Sequence, residues 1–135
     1  SEKSHHTNLG IRENQTFSIN IPSTDMVKIT DHCGMVSGKD KDKSEFFKSF
    51  YGKSETAPMI EECSINIECK VIKSFEINEM EVFIADVVKT YVEETCIVDG
   101  RIDIKKVDPL IYAYGGSYWS VGEMVDLAFK NKELK

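Results

Sequence analysis

The sequence predicts a mainly β protein carrying short helices, and three observations predict it. Phe17, Ile19 and Ile21 alternate with Ser18 and Asn20, the period-two pattern of a strand with one apolar face. From Ser64 to Lys73, Ile65, Ile67, Cys69 and Val71 alternate with Asn66, Glu68 and Lys70. A second apolar run, Glu81 to Tyr91, follows the turn residues Ile77-Asn78-Glu79, so the two runs read as an antiparallel hairpin. Asp99-Gly100 and Gly115-Gly116 are further turns. Alternating strands with short turns read as an all-β barrel decorated by helices.

Taken in order, Ser1 to Gln15 reads as a polar loop feeding a short helix that Thr7 or Ser4 caps, with Arg12 near its end. Ser1, Lys3, Ser4, His5 and Thr7 make a donor-rich start to that helix. Free N–H groups and a positive dipole there suit a phosphate, and equally suit a plain cap with polar neighbours. Pro22 ends the first strand, lacking an N–H and fixing φ. Ser23, Thr24 and Asp25 then stand ready to cap a helix bearing Met26, Val27 and Ile29. Cys33-Gly34 is its expected end, the glycine taking the left-handed turn.

Lys39, Lys41 and Lys43 alternate with Asp40 and Asp42, ordinarily a solvated loop. A phosphate-binding Walker loop is excluded by the spacing around Gly34, Gly38 and Lys39. A calcium-binding EF-hand is excluded because no glycine and closing glutamate follow Asp40, Asp42 and Ser44. Ser44 to Tyr51 predicts an amphipathic helix with Phe46, Phe47 and Phe50 inward, as core or as a stacking surface. Gly52 to Pro58 is a polar loop of the kind that borders openings. The Glu81 strand is apolar on both faces, as a central strand would be. Pro109, Leu110 and Ile111 are expected to be buried, Tyr118 and Trp119 to form a short aromatic strand, and Val121 to Lys130 a closing helix with Val125 and Phe129 inside.

At 135 residues the chain is one domain by length, long enough for a real core. A net charge of −6 gives no support to nucleic-acid binding, which needs clustered Lys and Arg. The four cysteines, at 33, 63, 69 and 96, form no CxxC and no zinc pattern with histidine, so reduced thiols in a cytoplasmic protein are expected. No apolar run is long enough to span a bilayer as a helix. No Ser-His-Asp or Cys-His arrangement or carboxylate pair suggests protein-borne catalysis.

The runs Asn20-Ile21-Pro22-Ser23-Thr24-Asp25, Cys33-Gly34, Ser37-Gly38 and Asp42-Lys43, in that order, resemble the flavin reductase-like, FMN-binding split-barrel family, including its flavoredoxin-like members. The resemblance continues through Pro58–Cys69, Phe83–Val88 and Asp108–Gly122. It implies a split β-barrel, a homodimer and FMN as cofactor. The implied activity is flavin reduction by NAD(P)H, or electron transfer to a redox protein. The implied phosphate site is Thr7 with Ser1, Ser4 and His5, joined by Lys43, while Tyr118 or Trp119 packs near the flavin ring or in the core. Family members carry several strands ahead of the point where this sequence starts, so a fragment is expected. They often have a histidine near the start of the Glu81 strand, where this chain has Met80 and Glu81. No G-x-G-x-x-G is present, so a nicotinamide would stack directly on the flavin. The alternative is a non-enzymatic β-barrel that binds a ligand or protein and has lost flavin.

Overall fold

The strand expected from Ser64 runs from Ile65 to Ile77 and stands between two others in a three-stranded antiparallel sheet. The computed structural model describes residues 6–36 and 43–129. In chain order its elements are α1 (His6–Asn14), β1 (Thr16–Ile21), α2 (Val27–Met35), β2 (Ser49–Tyr51), β3 (Pro58–Ile60), β4 (Ile65–Ile77) and β5 (Met80–Val92). After these come β6 (Ile97–Val98), β7 (Arg101–Ile102), α3 (Ile104–Val107), β8 (Ile111–Ala113) and β9 (Ser117–Trp119). The sheet order is β1-β4-β5, and β2-β3, β6-β7 and β8-β9 are separate hairpins. The molecule is strand-rich with short helices, as expected.

Ile19 lies opposite Ile67, and Asn20 opposite Asn66. These two carboxamides converge on one donor, since both Oδ1 atoms accept the Ile60 N–H at 3.2 Å. That clamp, with Ser18 Oγ donating to the Pro58 carbonyl, holds β3 across β1 and β4. Met59 is thereby fully buried, a contribution of roughly 1.5–3 kcal/mol.

Two register shifts interrupt the β4–β5 ladder, leaving Val88 as the extra residue on β5 and Ile72 on β4. Coverage changes face at the first: Asn66 and Glu68 are buried before it, Cys69 and Val71 after it. β4 is thus the alternating strand expected, but the polar face is the covered one at its start. β5 is an edge strand among the described residues, not the central strand its apolar run suggests, and Ile84 and Val87 are exposed.

Four other expectations are corrected. Ser44–Tyr51 is not a helix: a single 3-10 turn, Ser44–Phe46, leads into β2. Pairing explains it, because the Lys48 N–H goes to the Glu62 carboxylate and its carbonyl accepts from Glu61. α2 runs past Gly34 to Met35, and the Ser23 hydroxyl bonds Asp25 instead of capping the backbone. Val121 onward forms no helix within the described residues, and Val125 and Phe129 are almost wholly exposed. A short segment with nothing to pack against gains too little to stay helical. Ile111 is exposed, while Pro109 and Leu110 are half-buried.

The 108–110 segment closes back on the end of β1. Leu110 N donates to the Pro22 carbonyl at 2.9 Å, and Thr24 N to that of Asp108 at 3.0 Å. Two runs far apart in sequence are thus joined.

Candidate functional site

α1 is held to the sheet by polar contacts. Asn8 is its only buried residue, whereas Leu9 is exposed. Asn8 Nδ2 donates to Glu81 Oε2 at 3.0 Å; Arg12 donates from Nε to Oε1 at 3.1 Å and from Nη2 to Oε2 at 2.6 Å. Glu81 is 5% exposed, so its charge is met by a two-pronged, charge-assisted partner. The bond to Glu81 raises the Arg12 pKa above its ordinary value, and burial opposes this less strongly. Asn8 cannot turn its amide over, because oxygen would then face the carboxylate. Among the described residues its buried Oδ1 has no hydrogen-bond partner.

Among the described residues α1 begins at His6. The first turn contains no acidic residue, its N–H groups have no partner within the helix, and Thr7 is exposed. Thr7 is the second helical residue, inside the helix instead of at the cap expected of it. A helix N-terminus with a hydroxyl in its first turn can accept an anion. Ser1, Ser4 and His5 lie outside the described residues, as do Lys39 and Lys41.

The last turn of α2 gathers a second group. Lys43 Nζ donates to the Cys33 carbonyl at 2.6 Å, a favourable position for a cation at a helix C-terminus. Tyr118 donates its hydroxyl to Asp31 Oδ1 at 3.1 Å. Burial, then the bond to Asp31, raises the Tyr118 pKa. His32 meets Phe46 edge to face at 5.3 Å between ring centres, and Tyr112 stands edge to face with Tyr118. Trp119, next along β9, is exposed and donates Nε1 to Ser117 Oγ at 2.8 Å. Neighbours on a strand point to opposite faces, so only Tyr118 joins Lys43 at α2.

Sequence reasoning missed two buried carboxylates, Glu68 and Glu81. Glu68 is fully buried beneath the 52–57 loop. It accepts from Ser54 N at 2.5 Å, Lys53 N at 3.1 Å, the Ser54 hydroxyl and the Tyr91 hydroxyl at 3.3 Å. Burial alone would raise its pKa, but these bonds together hold it below the ordinary value. The signal available for Glu81 was a charge at the head of an apolar strand. For Glu68 there was none, because an alternating strand does not say which face is covered. Beside Glu68 a cleft of about 340 Å3, walled by Phe50, Tyr91 and Val92, opens between Glu61 and Glu93. Phe50, a candidate stacking aromatic, lines it, whereas Thr7, Lys43, Tyr118 and Trp119 do not.

The four cysteines are free thiols. Burial, with the Glu62 charge adding, pushes Cys63 up to about 11. No helix among the described residues is long and apolar enough to cross a membrane.

Residues 1–120 match the flavin reductase like domain. The flavoredoxin of Methanosarcina acetivorans is 46% identical with a TM-score of 0.93, over 96% of this chain and 70% of that one. The flavoredoxin of Desulfovibrio vulgaris (Miyazaki F) is 34% identical with a TM-score of 0.90, over 98% of this chain and 73% of that one. An uncharacterised protein of Archaeoglobus fulgidus is 27% identical over 103 residues, 75% of this chain and 58% of its own length. The chain therefore spans less than two thirds of that curated relative. Its strand-rich architecture with short helices is that of the split-barrel proteins. With a domain match along nearly the whole chain and a backbone superposing on a flavoredoxin, the chain belongs to the flavin reductase-like family.

Proposed function

We propose that the protein is an FMN-binding flavoprotein that carries reducing equivalents. It takes them from NAD(P)H as a flavin reductase, or passes them to a redox protein as a flavoredoxin-like carrier. The supporting observation is 46% identity to a flavoredoxin across 96% of the chain. The start of α1, with no acidic residue in its first turn, is chemically suited to the terminal phosphate of FMN.

In this reading Thr7, with Ser1, Ser4 and His5, donates hydroxyl, ring and helix-end N–H groups to the phosphate. Lys43 gives one of its three protons to Cys33 and in this reading offers another to a phosphate or flavin oxygen. Tyr118 or Trp119 packs against the flavin ring. Bound FMN would supply the hydride and one-electron chemistry that no side-chain constellation here offers. The exposed apolar residues of the β4–β5 arm, Ile72, Ile84 and Val87 among them, support a homodimer. The free thiols support a reducing, cytoplasmic setting.

Calorimetric titration with FMN and FAD, then rapid mixing with NADH and NADPH, tests the proposal. Saturable FMN binding with bleaching by a nicotinamide identifies a reductase. Binding without bleaching, but with reduction by dithionite and reoxidation by an acceptor protein, identifies a carrier. Absence of any flavin binding overturns both and leaves a β-barrel binding module.

A further inference from the structure

We infer that Arg12, Asn8 and Glu81 form a positioning clip for the phosphate end of the flavin site: they fix α1 so that its first-turn N–H groups face the anion. The inference rests on the flavin-binding reading above. Its warrant is the way α1 is attached. Residues 8 and 12 lie four apart, on one face of the helix, and both reach the same carboxylate. Asn8, third in the helix, holds the first turn itself; Arg12 holds the next.

Two points of attachment stop the helix from turning about its axis or sliding along it. Apolar packing supplies a smaller hold, since Asn8 is the one buried residue of α1, Ile11 is half-buried and Leu9 is exposed. The charges also matter. Glu81 places a buried negative charge close to the helix start, where by itself it would oppose an incoming phosphate. Arg12 cancels that charge through both oxygens, so the helix end keeps its attraction for anions. Neither residue touches the flavin; they act by orienting groups that do.

Riboflavin shares the ring and ribityl chain of FMN but lacks the phosphate, so the ratio of the two affinities reads the phosphate site alone. Dissociation constants for both flavins are measured on wild-type protein and on Arg12→Ala, Arg12→Lys and Asn8→Ala. The clip predicts that Arg12→Ala weakens FMN about tenfold while riboflavin changes less than about twofold. Arg12→Lys, which keeps the charge but not the fork, falls between. Parallel losses for both flavins, or no loss for either, overturn the inference. Should Arg12→Ala fail to fold, the ratio in Arg12→Lys and Asn8→Ala decides, and an unchanged ratio in both overturns it. Wild-type protein that binds both flavins equally would instead remove the phosphate site on which the clip acts, and protein that binds neither would remove the flavin reading.

Discussion

Tyr91 on β5 donates its hydroxyl to Glu68 on β4 at 3.3 Å, and Glu68 in turn receives two successive backbone N–H groups from Lys53 and Ser54. One carboxylate therefore ties the edge strand to the 52–57 loop. Phe50 stands edge to face against Tyr91 at 5.8 Å, so the wall of the cleft depends on the same anchor.

Removing that carboxylate leaves several buried donors unpaired. Glu68→Gln is expected to lower stability by about 2–4 kcal/mol at pH 7, read by urea unfolding. The pH dependence follows from the lowered pKa, whose ordinary value is 4.5. A carboxyl held below that value stabilises the fold above it, and the contribution fades as pH falls through the folded value. The gap between wild type and Glu68→Gln should stay level from pH 7 to about 5 and narrow below. A gap that widens in acid would mean Glu68 is held protonated.

Gly52 has no room for a side chain. A Cβ there would come within 2.6 Å of Glu68 Oε2 and 2.9 Å of Met59 Cε, and closer still to the Tyr91 hydroxyl. Gly52→Ala is expected to cost about 1–3 kcal/mol by thermal unfolding. An unchanged melting temperature would show that the loop shifts freely off Glu68.

Lys43 has a structural duty at Cys33 and a proposed one at the flavin, and one substitution separates them. Lys43→Ala should reduce FMN affinity about tenfold, equivalent to ~1.4 kcal/mol. If affinity holds and only melting temperature falls, Lys43 serves α2 alone.

The thiols should react in order of access. Cys33 is half-buried, whereas Cys63, Cys69 and Cys96 are buried, and burial raises the pKa of the Cys63 and Cys69 thiols. At pH 8 a chromogenic disulfide reagent should label one thiol quickly and the rest only after unfolding. Rapid labelling of Cys63 would contradict the buried placement.

Much of the fold is written in local patterns. The Ile65–Ile77 strand, its hairpin partner and the turn at Asp99-Gly100, with φ of 49° and 72°, each announce themselves within a few residues. So does Gly115-Gly116, at 99° and 81°, where glycine tolerates what other residues resist. What is illegible depends on distant partners. Ser49–Tyr51 is a strand because Pro58–Ile60 lies beside it, and no periodicity inside Ser44–Tyr51 reports that neighbour. The site divides in the same way. Lys43 and Tyr118 stand out by motif, yet their separate attachments to α2, at Cys33 and Asp31, are tertiary facts. Glu81 looks like an isolated charge until Asn8 and Arg12 close on it.

Whether the protein holds flavin is read from the visible absorption spectrum of the purified protein after addition of FMN and removal of unbound cofactor. An FMN-binding flavoprotein should show oxidised-flavin bands that stay with the protein, and release intact FMN on denaturation. A colourless protein whose melting temperature FMN does not raise would contradict flavin binding.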